Sequence, residues 1–135
     1  MYTIYVCLAL EKDKKILLSK RCNTGWMDGY WHIPGGGVEE GEFLWQAVIR
    51  EAYEEIGVEV DRADLKLMYV LNMNETTLGF YFVTSQWKNE PQNKEPDECS
   101  EIQWFDCNNL PLEISPYSQK ALQRYIEGGE ILTFL

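Results

Sequence analysis

The sequence predicts an α/β fold, a mixed β-sheet with helices packed on it. Three observations carry this. The chain of 135 residues is long enough to bury one core and too short for two ordinary ones, so residues 1–135 are expected to form a single domain. Hydrophobic residues make up 45% and charged residues 25%, the balance of an ordinary globular protein. Strand-like segments come first, a helical segment follows, and further strands precede a last helix, an order that suits helices laid on a sheet.

Each element has its own signal. Residues 2–10 are rich in β-branched and aromatic types and read as a strand. Residues 12–15 punctuate it like a hairpin turn, and Ile16-Leu17-Leu18 reads as the returning strand. Asn23-Thr24-Gly25 and Asp28-Gly29 mark a loop that carries Trp26 and Tyr30. Trp31-His32-Ile33 is a short strand stopped by Pro34-Gly35-Gly36-Gly37. Over residues 44–56, Leu44, Val48, Ala52 and Ile56 recur every fourth position, a helical period, and Gly57 stands where a helix commonly ends. Residues 65–72 and 78–86 form an expected strand pair around the polar turn 73–77. Residues 88–100 are a polar, proline-containing loop, 102–105 a short strand, and 118–127 a closing amphipathic helix ended by Gly128-Gly129.

Charge and cysteine usage narrow the function. A net charge of −10 argues against a DNA or RNA polymer as partner, because binders of such polymers carry basic patches. One small polyphosphate stays open, since bound divalent cations invert the local field. The first ten residues lack a basic start and a small-residue cleavage site, so no signal peptide is expected. No apolar run has the length of a membrane span. Cys7, Cys22, Cys99 and Cys107 show no Cys-x-x-Cys spacing and are expected as reduced thiols of a cytoplasmic protein.

The stretch 35–58 carries the chemistry. At about 100° per residue, Glu51, Glu54 and Glu55 fall in one sector of the helix, below Leu44, Ala47 and Val48 on the same side. A face that begins as core therefore ends in carboxylates. Three carboxylates on a partly buried face repel one another and lose solvation, and a divalent cation relieves both penalties. Oxygen ligands of this kind suit Mg²⁺ or Mn²⁺. Periodicity alone leaves a solvated helix end, with Arg50 paired to a glutamate, equally open. Three consecutive glycines before the helix tilt the balance, because they allow close backbone approach and positive φ, and they can aim main-chain carbonyls at an ion.

Together these residues fit a known signature. Gly36, Glu42 and Arg50-Glu51-Ala52-Tyr53-Glu54-Glu55-Ile56-Gly57-Val58 match every fixed position of the Nudix box, Gly-x5-Glu-x7-Arg-Glu-U-x-Glu-Glu-x-Gly-U. The runs 21–36, 87–91 and 95–99 and the pair Trp104-Phe105 are similar to MutT-type nucleotide hydrolases, so the resemblance covers residues 2–126. It implies the Nudix α/β/α sandwich with a mixed β-sheet. It implies Glu51, Glu54 and Glu55 as metal ligands together with the backbone carbonyl of Gly35, and an orienting salt bridge between Glu42 and Arg50. From the loop after the strand pair it implies Glu95 as a further metal-binding and catalytic glutamate, with Glu98 as the runner-up. Either Glu51 or Glu95 would act on the attacking water, and Glu51, Glu54 and Glu95 are the candidate catalytic set. Arg21 is the candidate for a substrate phosphate. Trp26, Tyr30, Phe80 and Phe82 are candidates for stacking on a base. His32 reads as a packed or solvated residue rather than a catalytic one.

The implied activity is Mg²⁺-dependent hydrolysis of a diphosphate linkage in a nucleoside triphosphate or related small nucleotide. Guanine-reading members carry an asparagine that the segment Leu110-Pro111-Leu112-Glu113-Ile114-Ser115 lacks, which counts against a guanine specialist. ADP-ribose, nucleotide sugars and dinucleotide polyphosphates stay open, because the box reads only the diphosphate. A non-catalytic nucleotide sensor would typically have lost box carboxylates, and this chain keeps them all. A homodimer is compatible with the sequence, which does not determine oligomeric state.

Overall fold

The computed structural model describes residues 1–129 and 131–134. Strand β1 (Thr3–Lys12) lies at the centre, parallel to β6 (Thr77–Thr84) on one side and antiparallel to the three-residue strand β4 (Gly35–Gly37) on the other. β6 pairs with β5 (Lys66–Asn74), and β8 (Leu132–Phe134) joins β5 in parallel. The far end of β1 turns through Asp13 and Lys14 into β2 (Lys15–Arg21). Both turn residues have left-handed φ values, 52° and 64°, the backbone that a two-residue hairpin on twisted strands requires. β2 then pairs with β3 (Trp31–His32) and with β7 (Cys99–Asp106), forming a small antiparallel sheet.

One helix covers each face. α1 (Leu44–Ile56) buries Ala47, Val48, Ala52 and Ile56 against Val6, Leu8 and Leu10 of β1. α2 (Pro116–Glu127) buries Ala121 and Leu122 over Ala9, Tyr69, Leu71, Tyr81 and Val83. Alternation along β1 and β6 supplies both cores, since successive side chains point to opposite faces. This is the α/β arrangement with a mixed sheet that the sequence predicts.

The differences have local causes. Gly35, Gly36 and Gly37 were expected to stop a strand, and they form one, because pairing with Cys7, Val6 and Tyr5 satisfies their backbone. None of the three has positive φ, in contrast to Gly57, which caps α1 at φ 70°. β7 starts three residues before its expected start, and β5 runs two residues past its expected end, because the ladder with a neighbouring strand extends each. α2 begins at Pro116, where the ring's fixed φ suits the first turn and the Ser115 hydroxyl accepts from the Ser118 N–H at 3.4 Å. β8 has no counterpart in the sequence reading.

Candidate active site

The C-terminal end of α1 organises the site. Its last carbonyls lack intrahelical partners. The 88–98 loop supplies them: the Gln92 N–H donates to the Ile56 carbonyl and the Lys94 N–H to that of Glu55, each at 2.9 Å. Asn93 closes the same loop, donating to the Cys99 carbonyl at 2.7 Å and accepting from the Glu95 N–H at 3.1 Å. These bonds bring Glu95, forty residues away in sequence, beside Glu55.

On the opposite side stands β4. Its hydrogen-bonded pairings with β1 fall at Gly36, as the flanking bonds Val38 N–H to Ile4 O and Leu8 N–H to Pro34 O show. Antiparallel ladders alternate, so the backbone groups of Gly35 and Gly37 face away from β1. The Gly37 carbonyl accepts from Arg50 at 3.0 Å on that edge, and the Gly35 carbonyl lies on the same edge. Glycine is required at 35 and 36 by space rather than by φ. A Cβ at Gly36 would stand 2.5 Å from the Glu51 carboxyl carbon, and one at Gly35 would meet the Val6 carbonyl and, at 2.7 Å, the Cys7 Cα.

Arg50 ties these parts together. Its guanidinium grips Glu42 with two bonds, at 2.8 and 2.9 Å, and reaches Glu51 at 2.9 Å and Glu54 at 3.3 Å. The Arg50 bond, reinforced by the Glu39 N–H, holds the Glu42 carboxyl down at about 2. The salt bridge joins the loop before α1 to the middle of the helix.

Glu55 is half-buried and is the strongly desolvated member of the carboxylate group. Burial pushes its pKa well up, the neighbouring Glu51 and Glu95 push it further, and only the Gly35 amide opposes them. Glu95 is also raised, first by burial and then by Glu98, Glu51 and Glu54. Among the described residues, no three acidic, histidine or cysteine side chains already stand as a coordination sphere. Arg50 holds Glu51 and Glu54 in ion pairs. The donor set nevertheless fits a hard divalent cation: a desolvated carboxylate crowded by others ionises fully only when positive charge stands beside it.

Two cavities open beside this group, one of about 100 Å³ against Glu55, Glu95 and Glu98 and one of about 430 Å³ between β1, β6 and the start of α2. Arg21, His32 and Gly35 line both. His32 shares a 3.0 Å hydrogen bond with the Ser19 hydroxyl, and burial, then the charge of Arg21, lowers its pKa to about 4. The imidazole is neutral at physiological pH. The larger cavity is walled by Tyr5, Cys7, Trp26, Tyr81 and Tyr117, with Asn74 and Thr77 also lining it.

Several sequence expectations are revised here. Phe80 and Phe82 do not line either cavity but pack into the α1-side core, and the intervening Tyr81 faces the cavity instead. A period of two assigns residues to faces without saying which face holds a ligand. Tyr30 is 41% exposed and lines neither cavity, its backbone being spent on Arg21 and Met27. Trp26 and Arg21 do line the larger one. Tyr117, Cys7 and Tyr5 escaped the sequence reading, which had no local signal for them. His32, expected to be packed or solvated, is packed against Ser19 and also lines both cavities. All four cysteines are free thiols. No helix among the described residues is long and apolar enough to cross a membrane.

A family model described as the NUDIX domain matches residues 1–125. The 8-oxo-dGTP diphosphatase of Escherichia coli (strain K12) is 31% identical over 121 residues, covering 87% of this chain and 93% of its own. The ADP-ribose pyrophosphatase of Methanocaldococcus jannaschii is 36% identical over 105 residues, 76% of this chain and 60% of its own. Among solved structures, the MutT NUDIX hydrolase from Burkholderia pseudomallei superposes with a TM-score of 0.83 at 28% identity, covering 91% of this chain and 97% of that one.

Proposed function

The chain belongs to the Nudix hydrolase family, and from that premise we propose that it hydrolyses the diphosphate linkage of a nucleoside triphosphate, or of a related nucleoside diphosphate derivative, with Mg²⁺ as the working cation. The observation that carries the reading is the position of Glu55, a desolvated carboxylate crowded by Glu51 and Glu95 on the smaller cavity, which shares Arg21, His32 and Gly35 with the larger one of about 430 Å³. Glu51, Glu55 and the Gly35 carbonyl would hold the cation, with Glu54 and Glu95 on the open side, and Mn²⁺ would substitute. When bound, the cation neutralises charge developing on phosphate oxygens and lowers the pKa of water.

The chain's own groups do the rest. Glu51 or Glu95 orients the attacking water and takes its proton. Arg50, anchored on Glu42, orients Glu51. Arg21 faces the phosphates, and Trp26, Tyr81 and Tyr117 offer aromatic surface to the base. A nucleoside triphosphate would leave as monophosphate and pyrophosphate. Four free thiols suit a reducing cytoplasm.

A panel of nucleoside triphosphates, oxidised nucleotides, nucleotide sugars, ADP-ribose and dinucleotide polyphosphates tests this, with pyrophosphate or phosphate release as the signal. We expect Mg²⁺-dependent turnover that chelation abolishes, and Glu51→Gln to lower kcat by about 10² to 10⁴ without unfolding the chain. Wild-type turnover in that variant would remove Glu51 from the mechanism. Tight binding of one ligand with no turnover of any would establish a sensor instead.

A further inference from the structure

We propose that Trp26 is a positioning residue: with the 22–30 loop that carries it, it holds the Arg21 guanidinium at the junction of the two cavities, toward substrate phosphate. The proposal rests on the phosphate contact assigned to Arg21 above and goes beyond it by naming what holds that side chain in place.

Arg21 is the only cation among the described residues lining the two cavities, because His32 is neutral at physiological pH. In a chain of net charge −10, this one guanidinium answers for phosphate attraction from the protein side. A free arginine side chain samples many rotamers, and holding it in one spares that entropy on binding. The loop fixes the Arg21 backbone at two points and its side chain at two more. The Arg21 N–H donates to the Tyr30 carbonyl at 3.0 Å and the Arg21 carbonyl accepts from the Gly29 N–H at 2.8 Å. The Arg21 Nε donates to the Trp26 carbonyl at 2.8 Å. The guanidinium then lies over the Trp26 ring, 5.0 Å from its centroid.

Trp26 is in turn fixed from both sides. Its indole stacks on Tyr117 of α2, with centroids 5.9 Å apart and planes 18° off parallel. Asp28 organises the loop beneath it, accepting from the Thr24 hydroxyl at 2.5 Å, the Gly25 N–H at 2.9 Å and the Thr24 N–H at 3.2 Å. With its one proton on Asp28, the Thr24 hydroxyl accepts from the Trp26 N–H at 3.2 Å, so the residue whose carbonyl Arg21 uses is itself tied to the loop. The guanidinium and Tyr117 thus both lie against the indole, which stays half exposed at the wall of the larger cavity.

The test compares Trp26→Ala, Trp26→Phe, Arg21→Ala and the Arg21→Ala/Trp26→Ala double variant with the wild type. One readout is the binding of inorganic pyrophosphate by calorimetry with Mg²⁺ present, and the other is the split between KM and kcat on a nucleoside triphosphate. We expect Trp26→Ala to weaken pyrophosphate binding about three- to tenfold, the range of a cation–π contact. Trp26→Phe, which keeps an aromatic face, should recover binding to within about twofold. In the Arg21→Ala background, Trp26→Ala should have no further effect. Because pyrophosphate carries no base, unchanged binding in Trp26→Ala would overturn the proposal and leave the indole a wall for the base. An equal loss with Arg21 already removed would overturn it too. Failure of every nucleotide to turn over would reject the hydrolase reading, while the pyrophosphate measurement still decides the role of Trp26.

Discussion

Gly36→Ala places a Cβ 2.5 Å from the Glu51 carboxyl carbon and 2.6 Å from each of its oxygens, at a site where ordinary contact begins at 3.4 Å. The carboxylate must retreat by roughly 0.9 Å, since it is the far end of a flexible side chain and the strand behind Gly36 is paired to Val6. Misplacing a catalytic group by about 1 Å costs on the order of 10²-fold in rate. The fold should lose less than about 1 kcal/mol, a few degrees in Tm, because no backbone is displaced. The two neighbouring glycines supply controls. At Gly37 nothing lies within 4 Å of an added Cβ, so Gly37→Ala should behave as wild type. At Gly35 the added atom meets the Val6 and Cys7 backbone, so Gly35→Ala should lower stability by about 1–3 kcal/mol through loss of fit between β4 and β1. Steady-state pyrophosphate release and thermal melts on the three variants, with Mg²⁺ at saturation, separate these effects. A Gly36→Ala enzyme within about threefold of wild type would refute the placement of Glu51 against Gly36 during catalysis. A melt as depressed as that of Gly35→Ala would show instead that any rate loss comes through the strand.

Two further outcomes follow from the buried surroundings. His32 is the single histidine of the chain, so its ring resonances are unambiguous, and it should stay neutral until the pH falls to about 4. A folded-state pKa below the unfolded one means the unfolded chain binds the proton first, so stability should drop by about 3 kcal/mol as pH falls from 6.5 through 4. His32→Gln should flatten that slope, and a ring titrating near 6.5 would contradict the burial. Ser118→Ala removes the acceptor for the Ile33 N–H, bonded at 2.9 Å in a fully buried setting, and should cost about 1–3 kcal/mol in urea unfolding. A change below about 0.5 kcal/mol would mean that α2 is not fastened to the start of the glycine strand in this way.

The box helix was legible because its information is local. Leu44, Val48, Ala52 and Ile56 announce the buried face through a period set by the helix itself, and Glu51, Glu54 and Glu55 follow from the same geometry. Gly57 sits where the helix ends, in the left-handed conformation that glycine adopts freely. The spacing of Glu42 and Arg50 likewise names partners that the fold brings together as a two-point ion pair. Only the tertiary structure decided what those carboxylates face. Gly35–Gly37 became a strand through pairing with β1, and the tightness of that approach, not positive φ, explains the glycines. Tyr81 rather than Phe80 or Phe82 reaches the cavity because strand alternation is symmetric until two helices give each face its identity. Arg21, His32, Glu95 and Tyr117 belong to four segments whose convergence depends on strand pairing and helix capping across long stretches of chain. Helix hydrogen bonds close within four residues and so leave a periodic trace in the sequence, whereas sheet and cap contacts join residues with no fixed spacing and leave none.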